Sequence, residues 1–478
     1  MKTSAPAATL GKGSGPTRPP GYRISAWTVL WTALGVLANV PAALGLSATA
    51  QVLVGSAGLA HSAVYFWRDG GRRITAPGVY LIGSALFAFY PGIAMVLDGK
   101  YYPPSASLVA TNIAFWVQLV LVHLFWEPRP AKSTPVTFTD DNRIVRRGAS
   151  IAVVLIATGF WAVRSFPSDT AGIFGTAAVF VGIVLLAVSL FLRSGRVGFA
   201  SYILVGVAFM LFAVFLSGGF GRLILGSLGI AVVIAAAPRW RGLPKIGLLA
   251  GLAPVLVYLA ADRVQFTAGL NPNQSSSVTG FESVISPFVR FSQTLLLETT
   301  NDIPHSWGSS FFTALVALVP RQLWPEKPVG FGAEVAMFFS PGLAGTGHSE
   351  LVLFYGEWVW AFGFLGLFAM VPAIGWIVRS LDTAMINALA PQRVTVRSLL
   401  IATMTVILVA SIVDLFWGGA FTYTARVGPR VLVIGLLLVF TMSLRSGDSK
   451  RGTDEVHGPT SKPAASRARA TVLAQQRR

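Results

Sequence analysis

Apolar runs of 17 to 23 residues recur from one end of the chain to the other. Each is long enough to cross a hydrocarbon core of about 30 Å as a helix. The pattern predicts spans near 26–44, 48–67, 77–97, 105–126, 148–164, 172–192, 199–217, 222–238, 246–261, 357–378, 398–417 and 427–444. Only a few small residues separate the first two. One interval breaks the rhythm: residues 262–356 are neither a continuous apolar run nor a low-complexity linker. The expected fold is therefore all-α, a polytopic membrane protein with about twelve transmembrane helices and one large external loop. Nine spans fall in 24–261 and three in 357–444, while 1–23 and 445–478 read as disordered basic tails.

Composition agrees with this pattern. The chain is 54% apolar and 12% charged, with a mean hydropathy of +0.66, too little charge to cover a soluble surface. Residues 1–23 are polar and rich in Gly and Pro, so no cleavable signal is expected. The absence of cysteine excludes disulfides, iron–sulfur clusters and thiolate catalysis.

The net charge of +18 is not a nucleic-acid footprint, because its distribution follows topology. Lys and Arg crowd alternate loops, as at Arg68, Arg72 and Arg73, at Arg143, Arg146 and Arg147, and at Arg239, Arg241 and Lys245. Of the 37 basic residues, 28 fall on one side and 9 on the other. The positive-inside rule then places both termini in the cytoplasm, in the inner (plasma) membrane, and 262–356 outside.

That interval and its border hold eight of the nineteen acids: Asp262, Glu282, Glu298, Asp302, Glu326, Glu334, Glu350 and Glu357. It also holds His305, His348, Arg263, Arg290, Arg321 and Lys327. Long loops without a function are uncommon, so chemistry is expected there. Residues 282–300 read as a helix with apolar positions at Val284, Ile285, Phe288, Phe291 and Leu295. A second apolar segment, 309–319, ends at Pro320. Pro320-Arg-Gln-Leu-Trp-Pro-Glu-Lys-Pro328 then fixes a stiff, turned backbone that presents Arg321 and Lys327. Gly345-Thr-Gly-His-Ser-Glu350 is a flexible strip, with Ser349 as the expected cap of the next helix. On that helix Glu350 and Glu357, seven apart, would share a face.

At these residues the sequence resembles the O-antigen polymerase (oligosaccharide repeat-unit polymerase) family. The resembling stretches are FFTALVALVPRQLWPEKPVGFGAEVAMF and GTGHSELVLFYGEWVWAFGFLGLF, with an echo at Ser217-Gly-Gly-Phe-Gly-Arg222. Together these stretches make up about an eighth of the chain. Tyr355-Gly-Glu357 places the aromatic before the acid, the reverse of the family order, so both Glu350 and Glu357 remain candidates.

The resemblance implies a glycosyltransferase that polymerises undecaprenyl-diphosphate-linked oligosaccharide repeat units of a surface polysaccharide at the outer membrane face. Such chemistry requires a base for the acceptor hydroxyl, for which His348, Glu350 and Glu357 stand as catalytic candidates. It also requires cations for the departing diphosphate, and Arg222, Arg290, Arg321, Lys327 and Arg426 are available. No paired-acid metal motif occurs there, so neither a metal nor another cofactor is expected. Beyond the glycan substrate and the bilayer, the implied partners are a chain-length regulator or a flippase.

Each residue also has a plainer reading. Arg321 and Lys327 fit a solvated turn, Arg222 a snorkelling side chain, His348 an ordinary loop histidine, and the two glutamates a pairing with an outer arginine. Asp414 in an apolar run is expected to pair with Arg426 or Arg430, and His61 and His123 to serve a packing or interfacial role. Asp140-Asp141 falls among cytoplasmic arginines and reads as solvated loop. A lipid-linked oligosaccharide flippase would place polar residues at midplane on repeated broken helices, and no repeat is visible. An O-antigen ligase shares the expected architecture and differs in acceptor. Dolichyl-phosphate-sugar transferases carry acids in a long first external loop, whereas residues 44–47 are short and uncharged.

Overall fold

Helix starts follow local capping chemistry. Ser25 accepts the Thr28 amide at 3.1 Å and opens α1, Ala26–Ala43. Thr75 accepts the Gly78 amide at 3.0 Å ahead of α3, Ala76–Ser84, and Asp141 accepts the Arg143 amide at 2.8 Å ahead of α6, Asn142–Ser165. Between these lie α2 (Ser47–Arg68), α4 (Tyr90–Asp98) and α5 (Pro104–Val120). Then follow α7 (Thr170–Phe191), α8 (Phe199–Phe215), α9 (Arg222–Ala236), α10 (Glu282–Thr300), α11 (Ser309–Leu315), α12 (Phe331–Phe339), α13 (Leu353–Phe362), α14 (Phe364–Leu389), α15 (Val396–Ala410) and α16 (Ile412–Asp454).

The structure, a computed structural model, describes residues 25–99, 104–126, 136, 138–166, 170–194, 196–216, 222–240, 243–248, 250–251, 282–319, 323–343, 349–390 and 393–454. Among them the chain is almost entirely helical and has no strand. Seven helices are long and apolar enough to cross a membrane: Ala26–Ala43, Ala76–Leu97, Ser105–Phe125, Asn142–Ser165, Ala171–Phe191, Phe364–Leu389 and Ile412–Met442. Phe199–Phe215, Leu223–Arg239, Ser309–Leu318 and Val396–Ala410 are apolar but shorter.

Residues 48–67, expected to span, do form a helix, although α2 is not among those seven. Its Gln51, His61 and Ser62 are buried, and Gly55 and Gly58 bring Ile93 and Phe89 against its backbone. Polar pairs knit α1, α2 and α5 together. Asn39 and Asn112 exchange amide bonds of 2.8 and 2.9 Å, Ser107 donates to Gln51 at 2.8 Å, and Gln118 and His61 lie 2.8 Å apart. The packing role expected for His61 and His123 fits this seam, where His123 meets Thr28 at 3.0 Å and Tyr65 at 3.3 Å.

α6 and α7 form a close pair, with Gly159 and Gly175 facing each other's backbone carbonyls. Lys245, in a helical turn over 243–248, donates to the carbonyls of Phe66 (2.8 Å), Trp67 (3.3 Å) and Asp69 (2.6 Å) and so closes the end of α2. Burial pushes its pKa down to about 8, partly offset by Asp69.

Several boundaries differ from those expected. The span expected at 357–378 is split at Gly363 (φ 63°), where Gly366 lies against the Trp358 carbonyl and the chain turns from α13 into α14. The runs 398–417 and 427–444 become α15 and a long α16 that is itself broken at Gly419 (φ 75°). α16 continues to Asp454, ten residues into the expected tail, because extending a helix adds a hydrogen bond per residue without a new nucleus. The span at 246–261 lies mostly outside the described residues, as do both tails apart from that extension. Where described, 282–356 is folded: α10 packs on α5, α4 and α13, and a small second core joins Ile303, Phe331, Val335, Val352 and Trp360.

Candidate functional site

α10 carries the expected apolar face: Ile285, Phe288, Phe291 and Leu295 are all buried. It runs beside α13 in the same direction, since Phe291 meets Tyr355 and Gly356, and Glu298, seven residues on, meets Gly363. α12 then folds across this pair. The Glu350 amide donates to the Gly332 carbonyl at 2.8 Å, and Phe339 lies 4.8 Å beneath the Arg290 guanidinium.

Arg290 and Glu350, from different ends of the interval, are thereby brought together. Arg290 Nε meets Glu350 Oε2 at 2.5 Å, and Arg290 Nη1 donates to Gln293 at 2.8 Å. Ser340 donates to the other Glu350 oxygen at 2.5 Å. The plainer expectation, that an acid here pairs with an outer arginine, holds for Glu350. It does not lie on one helix with Glu357. The helix expected to begin at Ser349 begins at Leu353, which takes a φ of 58°, and no side chain caps it. A left-handed leucine is strained backbone held by its surroundings.

Glu357 is fully buried. Its Oε2 accepts the Ala420 amide at 2.7 Å, at the start of the second segment of α16, where Gly419 presses against the carboxylate and leaves no room for a Cβ. A carboxylate at a helix N-terminus satisfies an orphan amide and favours the helix dipole. Its Oε1 is buried with no hydrogen-bond partner among the described residues. Next to it electrostatically is Glu334, in the first turn of α12, whose Oε1 accepts the Trp360 indole N–H at 3.0 Å. Sequence reasoning did not single out Glu334, because the group that orients it is a tryptophan 26 residues later.

The other cations divide. Lys327 donates to the Ala317 and Val319 carbonyls at 2.6 and 3.0 Å, closing the end of the α11 segment rather than standing out from a turn. Arg426 meets Asp414 at 2.7 Å, the pairing expected from sequence, and Ser227 of α9 donates to the second Asp414 oxygen at 2.6 Å. Arg430 donates to Ser411 at 3.1 Å and lies 3.7 Å over the Phe180 ring. Arg222 begins α9, but its side chain lies outside the described set. Arg321 and His348 lie outside the described residues. Glu298 faces His305 at 3.6 Å, and Trp307 beside it is exposed. Among the described residues no three His, Asp or Glu side chains gather into a group that could hold a metal ion.

No family model, curated protein or solved structure matches the chain.

Proposed function

We propose that the chain is a membrane glycosyltransferase that polymerises undecaprenyl-diphosphate-linked oligosaccharide repeat units at the outer face of the plasma membrane. In this reading twelve helices span, both termini are cytoplasmic, and 262–356 forms the external layer that carries the site. The supporting observation is the clasp of α10, α12 and α13. A sequence interval rich in acids and bases folds so that a half-exposed arginine, an anchored glutamate and a buried glutamate share one helical layer.

The pair offers complementary chemistry. The Arg290 fork suits a diphosphate, because planar guanidinium donors reach two oxygens at once. Glu350 and Gln293 hold that fork in place before substrate arrives. Arg321, Arg222 and Arg426 remain the further diphosphate ligands in this reading, and His348 remains a base candidate. Lys327 would act by fixing the end of α11.

The test is polymer length from cells expressing Arg290→Ala, Arg290→Lys, Arg321→Ala and Glu350→Gln at matched membrane levels. Loss of one such charge-stabilising group should cost about 10²–10³ in rate. Arg290→Lys should stay impaired, since a point charge does not replace a bidentate fork. Wild-type polymer from both alanine variants would sink the proposal. Glycan transferred without lengthening would indicate a ligase instead.

A further inference from the structure

We infer that Glu334 is the carboxylate that accepts the acceptor hydroxyl's proton; this rests on the glycosyl-transfer reading above. A general base has to be oriented, ionised and open on the side facing the substrate. The described acids of the clasp differ in how far they meet that demand. Both oxygens of Glu350 are engaged, one by Ser340 and one by Arg290. Glu357 is sealed from solvent and caps Ala420. Glu298 turns toward His305 against Gly363, with a buried oxygen.

Glu334 alone among these four combines an anchor with an outlook. It is half-buried, and Oε1 is held by the Trp360 indole, while Oε2 makes no hydrogen bond to a described residue. Trp360 is itself immobile: it is fully buried, with the rings of Phe331, Phe338 and Phe339 at 6.3, 5.3 and 6.1 Å. Glu334 lies in the first turn of α12, at the end of the helix where acidic side chains are favoured. Glu334 and Phe339, the ring beneath Arg290, are about 8 Å apart along the same helix axis. One short helix thus carries both the proposed proton acceptor and the ring that supports the guanidinium.

The step balances without a co-reactant. The acceptor oxygen forms a bond to the donor anomeric carbon as the bond from that carbon to the diphosphate oxygen breaks. The electron pair leaves with the lipid diphosphate. The hydroxyl proton passes to Glu334 and from there to water.

The experiment uses the purified full-length chain in liposomes with a lipid-diphosphate-linked oligosaccharide as probe. It compares Glu334→Gln, Glu334→Asp and Trp360→Phe with wild type over a range of pH. Glutamine still accepts the indole bond, so a merely structural role would survive that change. The expected result for Glu334→Gln is a fall of about 10²–10³ in kcat, little change in KM and loss of the acid limb of the pH–rate profile. Trp360→Phe, which removes the positioning bond together with part of a buried ring, should lose at least about 5–10-fold. Wild-type kcat with an intact acid limb in Glu334→Gln would overturn the inference. If that variant does not fold, Glu334→Asp decides: a carboxylate withdrawn by one methylene should lose about 10²-fold, and wild-type turnover would overturn the inference. A wild-type chain that makes no polymer would instead overturn the transfer reading and this inference with it.

Discussion

Asp414 shows what a single residue's sequence context can and cannot reveal. An acid inside an apolar run has to find a cation, and arginines 12 and 16 residues later, beyond a turn, were the available partners. The structure selects Arg426 and adds a bond that no local pattern announces, from Ser227 on α9. Lys327 and Glu334 were less legible for a physical reason. Their partners are backbone carbonyls and an indole N–H, which leave no charge signature in sequence. Removing one member of a buried pair leaves the other charge uncompensated, which costs about 3–5 kcal/mol. Asp414→Ala should therefore destabilise the protein by about that amount, while Asp414→Ala combined with Arg426→Ala should be less damaging than the two single effects added together. Denaturation in detergent, followed by tryptophan fluorescence, measures all three variants. Additive losses would show that the ion pair contributes nothing of its own.

At the scale of elements, apolar periodicity located most helices but not their breaks. Both sides of Gly363 and of Gly419 are apolar, so hydropathy runs through the turn without interruption. The information lies in one residue without a Cβ. Gly419 combines a φ of 75° with the Glu357 carboxylate lying against it. Glu350 and Glu357 were expected on one helix for the same reason: nothing in Leu351-Val352-Leu353 signals that the helix begins only at the third of these residues. Gly419→Ala should lower stability by about 1–3 kcal/mol through backbone strain, before any displacement of Glu357 is counted. Gly435, on the same helix with open space around it, is the internal control. Gly435→Ala should be neutral or stabilising by up to about 1 kcal/mol, since alanine is the better helix former. Equal unfolding midpoints for the two alanine variants would mean that the break at Gly419 is not required.

For the whole molecule, charge and hydropathy carry different parts of the architecture. Hydropathy gives helices and an approximate count; among the described residues seven helices are long and apolar enough to cross a membrane, and four further apolar helices are shorter. Orientation rests on charge alone, in the 28-to-9 division of basic residues. The chain lacks cysteine, so single cysteines report topology without background. Arg143 is exposed at the start of α6, within a basic cluster expected in the cytoplasm. Ser276 lies in the interval expected outside. In intact cells a membrane-impermeant maleimide should label Ser276→Cys and not Arg143→Cys, and permeabilised cells should give both signals. The two positions are decisive together because an inverted chain would exchange them. Labelling of Arg143→Cys in intact cells would reverse the orientation. It would also put the α10–α12–α13 clasp on the cytoplasmic side, away from the outer-face substrate that the proposed reaction needs.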